Sequence, residues 1–147
     1  MAKLAINGGE KAINRPLGKR WPIWDEKEEK ALLETLNSGR WWGGGEGSKV
    51  WEFEDAFASY HDAKYGIATS SGTQSLLNAL KGANVESEDE VLTPALTFFA
   101  SATCILMLNA IPVFVDVDPK SYNMDAKAME SAITKDTKAV IVVHNGG

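Results

Sequence analysis

Cysteine is almost missing from this chain. Cys104 is the only one in 147 residues, so no disulfide can form within the chain, and a reducing, cytoplasmic setting is expected. Cys104 lies in an apolar run, where a thiol serves as a small core side chain more readily than as a nucleophile. Histidine is nearly as scarce. His61 and His144 stand far apart, with no Cys/His cluster of the zinc-binding kind, so no metal is expected. Basic residues are outnumbered, 15 Lys and Arg against 20 Asp and Glu, for a net charge of −5. No basic run or Arg–aromatic interleaving occurs, so no nucleic-acid partner is expected. No apolar stretch reaches the roughly 18 residues needed to span a bilayer. The first residues, with Lys3, Glu10, Lys11 and Arg15, hold no apolar segment of the secretory kind, so neither a membrane nor export is expected.

What is present is the composition of a globular domain. Hydrophobic residues make up 44%, and the length suffices for one core. Residues 1–24, with Gly8, Gly9, Pro16 and Pro22, read as an irregular N-terminal arm, and residues 25–147 as one α/β domain. Asp25 followed by Glu28 resembles a capping box for a helix carrying Leu32, Leu33 and Leu36, which Asn37-Ser38-Gly39 ends. Arg40-Trp41-Trp42-Gly43-Gly44-Gly45-Glu46-Gly47 then forms a loop that mixes two large aromatics with glycine. Trp41 and Trp42 have no evident core to join there. They are expected at a functional site or a subunit interface, with packing on the next helix as the alternative. That helix, from Ser48, sets Val50, Phe53, Phe57 and Tyr60 on one apolar stripe.

Beyond this point the chain becomes regular. Strand patterns cover residues 65–69, 90–93, 112–116 and 139–143. Their last residues are spaced by 24, 23 and 27 positions, and each interval holds one helical pattern. That is the rhythm of βα units, which predicts a parallel or mostly parallel sheet covered by helices. The helix over 98–108 is apolar nearly all round and is expected to be buried. The helix from Asp125, with Met129 and Ile133 on one side, is expected at the periphery. Residues 139–143 have a central-strand pattern, and the sequence stops at His144-Asn145-Gly146-Gly147, where a ligand crevice and a further helix are expected. The chain therefore reads as the N-terminal portion of a longer protein.

Two strand-to-helix turns carry the chemical signal. In Ile67-Ala68-Thr69-Ser70-Ser71-Gly72-Thr73-Gln74, small residues open a helix whose Leu76, Leu77 and Leu80 share one face. Free N–H groups and the helix dipole make such a start an anion site suited to phosphate, and Ser71 and Thr73 add hydroxyls. An ordinary Ser N-cap is the alternative. In Thr93-Pro94-Ala95-Leu96-Thr97-Phe98-Phe99, an aromatic at a neighbouring helix start could cover the ring of a planar, phosphorylated cofactor. Core packing is the alternative, and it is expected for one of the two phenylalanines. Asp116 and Asp118, after Val113-Phe114-Val115, read as strand termination and turn capping rather than metal ligation. The turn at 70–73 is neither Gly-x-Gly-x-x-Gly nor a Walker A, which counts against a nucleotide-binding domain.

In order along the chain, Asp25-Glu26, Gly39-Arg40-Trp41-Trp42, Phe53-Glu54, Ser70-Ser71-Gly72-Thr73, Thr93-Pro94-Ala95-Leu96-Thr97-Phe98, Pro112-Val113-Phe114-Val115-Asp116-Val117-Asp118, the run from Ala132 to Ala139 and His144-Asn145-Gly146-Gly147 resemble the pyridoxal-phosphate-dependent sugar and cyclitol aminotransferases of the DegT/StrS family. The Trp-Trp pair resembles the branch of aminohydroxybenzoate synthases and inosose aminotransferases. The resemblance implies the N-terminal part of the large domain of a fold-type-I aminotransferase, incomplete over residues 25–147. It implies pyridoxal 5′-phosphate as cofactor and a homodimer with sites between subunits. Amino transfer to a keto-sugar or keto-cyclitol, from glutamate or glutamine, is the implied reaction.

By position, the resemblance assigns Ser71, Gly72, Thr73 and Gln74 to the cofactor phosphate and Phe98 to its ring. Trp41, Trp42 and His144 fall to substrate or interface. It puts the Schiff-base lysine beyond these residues, so no catalytic residue is assigned in this chain and the chain alone is expected to be inactive. A deoxysugar dehydratase of the same family, in which His replaces that lysine, and a non-catalytic truncated module remain alternatives. The middle of His144-Asn145-Gly146-Gly147 lacks the hydrophobic residue common in the family's His-x-x-Gly pattern.

Overall fold

A computed structural model of the chain describes residues 3–16, 18, 21–43 and 45–146; Gly44 of the glycine-rich loop and Gly147 of the last motif lie outside the described residues. The chain divides into two compact units, Met1–Lys64 and Tyr65–Gly147.

In the first unit the caps read from the sequence set the helix bounds. Helix α1 spans Glu26–Ser38. Asp25 Oδ1 accepts the N–H of Lys27 at 2.8 Å, and the N–H of Asp25 donates to Glu28 Oε2 at 2.7 Å, so the capping box is present. Gly39 ends the helix at φ 67°, a left-handed turn that glycine adopts without steric cost. Helix α2 spans Lys49–Tyr60 behind Ser48, whose hydroxyl accepts the N–H of Trp51 at 3.1 Å. Lys49 joins the two helices, with Nζ 2.9 Å from Glu52 and 3.9 Å from Glu34.

The expected apolar stripe of α2 forms, with Phe53 and Phe57 ring centroids 5.5 Å apart. Yet Phe53, Phe57 and Tyr60 stay exposed, as do Leu32, Leu33 and Leu36 of α1, and Ala58 is the buried residue of α2. Two short helices and an arm offer too little surface to cover both stripes.

The second unit is an α/β layer. Its elements are α3 (Gly72–Gly82), β1 (Glu90–Pro94), α4 (Ala100–Leu106), β2 (Ile111–Val115), α5 (Ala126–Ala132) and β3 (Thr137–Val140). The sheet order is β2-β1-β3, and both pairings are parallel, as the βα rhythm predicts. Prolines sit where the ladder needs no donor. Ile111 N–H donates to Asp89 O at 2.9 Å, so the next nitrogen, that of Pro112, faces away from β1. Pro94 lies beyond the stretch of β1 that β3 pairs, which covers Glu90 to Leu92.

Val91 packs in one core cluster with Leu80, Val85, Cys104, Ile105, Ala110 and Ile141, and Leu76 and Leu77 pack against it. The Leu76, Leu77 and Leu80 face of α3 is therefore its buried face. Each aliphatic side chain fully buried in this way contributes about 1.5–3 kcal/mol. Cys104 is fully buried, and burial pushes its thiol pKa up, so it is a core residue as its apolar surroundings indicate.

Four readings need correction. Residues 65–69 form no strand among the described residues, and Ile67 is 80% exposed. A β pattern becomes a strand only where a partner edge is available, and both described strands beside β1 lie elsewhere. The strand expected over 139–143 runs instead over Thr137–Val140, with alternating burial, and among the described residues it pairs with β1 alone. The helix over 98–108 shortens to Ala100–Leu106 and is buried on one side only, through Ala100, Ser101, Cys104 and Ile105, while Leu106 and Met107 are exposed. Neither Phe98 nor Phe99 is in the core, at 66% and 67% exposed.

Candidate functional site

The carboxyl ends of parallel strands lie on one edge of a sheet, and helices that follow or precede them are oriented accordingly. α4 starts after β1 ends, so its first turn lies at the carboxyl edge. α3 ends before β1 begins, with its Leu80 packed in the same core cluster as Val91, so it too starts at that edge. The two sequence motifs thus open two helices on the same side of one unit.

At α3, Ser71 is the N-cap in extended conformation, and its hydroxyl accepts the N–H of Gln74 at 3.2 Å. Ser75 N–H takes the carbonyl of Ser71 at 3.0 Å. The remaining N–H groups of the first turn, those of Gly72 and Thr73, have no acceptor within the helix. Ser71 and Gly72 are exposed, Thr73 and Gln74 half-buried. A Cβ built on Gly72 meets nothing within 4 Å, so the backbone there is open to an approaching group. The side chain of Gln74 runs along the helix, its Nε2 donating to Asn78 Oδ1 at 2.9 Å. Acceptor-poor N–H groups, a hydroxyl proton left over on Ser71 and the positive end of an 11-residue helix favour a phosphate or carboxylate here.

The approach to that turn is held by hydroxyls the sequence reading did not single out. Thr69 Oγ1 donates to Ser71 O at 2.9 Å, and Ser75 Oγ lies against both. Ser and Thr are so common in turns that their spacing carries no signal of this network.

At α4, Thr97 and Ser101 hydroxyls pair at 2.8 Å, with Ser101 buried. Phe98 and Phe99 project beyond that anchor, their ring centroids 4.3 Å apart and tilted by 42°. Thr93, near the end of β1, is fully buried, and its Oγ1 has no hydrogen-bond partner among the described residues.

Asp116 and Asp118 behave as turn formers. Asp118 Oδ1 accepts the N–H groups of Lys120 and Ser121 at 2.9 and 2.8 Å. Those bonds, from Ser121 first and then Lys120, hold its carboxyl below the ordinary carboxylate pKa. The loop they start carries Asn123, whose Oδ1 accepts Asn145 N–H at 2.8 Å. His144 is therefore exposed on a segment tied to a loop 22 residues earlier. No local pattern announces such a long-range bond.

Trp41 and Trp42 belong to the first unit. Trp41 Nε1 donates to Leu36 O at 3.1 Å, capping the end of α1, and its ring bounds a shallow apolar groove with Leu32, Thr35 and Leu36. The two indoles remain 70% and 68% exposed. Gly43, the next residue, lies over α2, where a Cβ would come within 3.1 Å of Val50 Cγ1. Among the described residues, no helix is long and apolar enough to cross a membrane.

Comparison with known proteins gives this geometry a context. Residues 22–147 match the DegT/DnrJ/EryC1/StrS aminotransferase family. The chain is 42% identical over 147 residues to the L-glutamine:scyllo-inosose aminotransferase of Streptomyces griseus, covering 97% of this chain and 34% of that protein. It superposes on the crystal structure of 3-amino-5-hydroxybenzoic acid synthase with a TM-score of 0.83 at 38% identity, covering 88% of this chain and 33% of that one. It also superposes on an E. coli GDP-4-keto-6-deoxy-D-mannose-3-dehydratase with bound hydrated PLP, with a TM-score of 0.74 at 27% identity, covering 88% of this chain and 34% of that one. The chain thus spans about a third of the length of the relatives it matches.

Proposed function

Because the chain belongs to the DegT/DnrJ/EryC1/StrS aminotransferase family, we propose that the whole protein transfers an amino group from L-glutamine or L-glutamate to a keto-cyclitol or keto-sugar, with pyridoxal 5′-phosphate as cofactor. In this reading residues 25–147 form part of the large domain, residues 1–24 an arm, and the protein works in the cytoplasm as a homodimer. The Schiff-base lysine is supplied from outside these residues.

The observation that supports the reading is the start of α3. The N–H groups of Gly72 and Thr73 have no intrahelical acceptor, and a Cβ at Gly72 would meet open space. Those features fit a phosphate. Ser71, Gly72 and Thr73 bind it, with the Ser71 proton free to donate while its oxygen holds the cap. Gln74 completes the turn. Phe98, held by the Thr97–Ser101 pair beside it, covers the cofactor ring and excludes water from one face. The cofactor supplies an electron sink for the bond broken at the donor carbon. His144 offers a hydrogen bond to the hydroxyls or carbonyl of the acceptor. Trp41 and Trp42 lie at substrate or subunit contacts, which suits large indoles left exposed.

The inosose acceptor and glutamine donor are favoured by the likeness to the Streptomyces griseus enzyme. A dehydratase reading, in which a hydroxyl is removed from a keto-deoxysugar, has the likeness to the E. coli enzyme in its favour, at lower identity. The whole protein, loaded with pyridoxal phosphate and offered L-glutamine with scyllo-inosose, separates them. Amino transfer yields an aminocyclitol and the donor's oxo acid in equal amounts. A dehydratase leaves both unchanged and acts on a nucleotide-linked 4-keto sugar.

A further inference from the structure

Strand β3 leaves the sheet early. The N–H of Ile141 donates to Leu92 O at 2.8 Å, as the last ladder bond along this stretch. Past it, one hydrogen bond ties down residues 142–146 among the described residues, that from Asn145 N–H to Asn123 Oδ1 at 2.8 Å. The residue that accepts it is itself firmly placed. Asp118 N–H donates to Asn123 O at 2.9 Å, Asp125 N–H donates to Asp116 O at 3.0 Å, and Val117 bridges Met124. Tyr122 is held at φ 59°, a conformation that a bulky side chain keeps only where its surroundings impose it. A rigid loop after β2 thus carries one carboxamide that grips the backbone beyond β3, and both lie at the carboxyl edge where α3 and α4 start.

We propose that Asn123 is a positioning residue: its carboxamide fixes residues 144–146 at the rim and so presents His144 to the keto acceptor. This rests on the amino-transfer reading above. Without the bond, the amide next to His144 loses its side-chain acceptor, and the segment that carries the imidazole loses its tie to the loop after β2. Donor and acceptor would react in separate half-reactions, and residues 144–146 would serve the acceptor, so loss of Asn123 should weaken the acceptor step and spare the donor step.

The test uses the whole protein with pyridoxal phosphate, L-glutamine and scyllo-inosose, and compares Asn123→Ala with Asn123→Asp, which keeps an oxygen able to accept the Asn145 N–H. The expected result is a KM for scyllo-inosose raised about fivefold in Asn123→Ala, the loss of one hydrogen bond. The single-turnover rate with glutamine stays within about twofold, and Asn123→Asp restores the KM. In a His144→Ala background, Asn123→Ala should then add nothing. Equal effects on both half-reactions, an unchanged KM, no restoration by Asp, or additivity with His144→Ala would overturn the proposal. Where Asn123→Ala fails to fold, Asn123→Ser, too short to reach the amide, takes its place. If the wild type transfers no amino group, the functional reading fails separately. The anchoring is then decided by the His144 imidazole NMR signals, which should shift in Asn123→Ala and return in Asn123→Asp; unchanged signals overturn it.

Discussion

The hydroxyl of Thr69 stands 2.6 Å from the hydroxyl of Ser75, across the turn that opens α3. Both hydroxyls also reach the carbonyl of Ser71, so the residues on either side of the cap are stitched to it. This leaves the cap rigid and the N–H groups of Gly72 and Thr73 without a partner in the helix. The same arrangement serves folding, by starting the helix cleanly, and the proposed function, by keeping donors ready for an anion before it arrives.

Phe98 carries a test of the ring contact. Because its side chain is 66% exposed, Phe98→Ala removes little core packing, and the unfolding midpoint should move only slightly. Retention of pyridoxal phosphate by the whole protein should fall, by about 0.5–1.5 kcal/mol for the stacking itself. Equilibrium dialysis of cofactor against wild type and variant reads this directly. Equal affinities would remove Phe98 from the site.

Thr93 is a stability handle within β1. Its hydroxyl is fully buried and without a partner among the described residues. Valine has the same shape without the polar group. Replacing an unsatisfied buried hydroxyl should be stabilising, on the order of 1 kcal/mol. Thr93→Val should therefore raise the denaturant midpoint at unchanged slope. A lowered midpoint would show that the hydroxyl has a partner in the folded protein.

Asp118 gives a pH dependence of known sign. Its folded pKa is lowered by the N–H groups of Ser121 and Lys120. The carboxylate form therefore favours the fold. That contribution is fully present above the unfolded carboxylate value of about 3.9. It is lost as pH falls from there through the depressed folded value. Asp118→Asn keeps an acceptor for the turn and cannot ionise, so thermal unfolding of that variant should lose less stability than wild type over this acid range. Parallel curves would remove Asp118 from the acid response.

Much of this was readable in the residues, and the remainder was not for identifiable reasons. The caps at Asp25, Ser48, Ser71 and Asp125 are local, each set by a side chain and amides two or three residues away, so the sequence shows them. The parallel order of β1, β2 and β3 follows from the spacing of helices between them. The failure at 65–69 is of another kind, because an apolar alternating segment says nothing about whether an edge is free to pair with it. The bounds of β3, Thr137–Val140 and not 139–143, depend on which neighbour the backbone pairs with. Phenylalanine usually packs in a core, whereas Phe98 and Phe99 stand exposed beside the Thr97–Ser101 anchor at the helix start. Asn123 reaching Asn145 is a contact across 22 residues, which no local pattern encodes.

The central claim is that the start of α3 holds the cofactor phosphate, and Gly72→Asp tests it most directly. At the first position of a helix an acidic side chain is favourable, by about 0.3–1 kcal/mol, and space at Gly72 is open. The fold should therefore be kept or slightly strengthened. A carboxylate in the cradle repels a phosphate, so affinity of the whole protein for pyridoxal phosphate should fall about tenfold or more, while the unfolding midpoint holds or rises. Unchanged cofactor affinity in a well-folded Gly72→Asp protein would contradict the account.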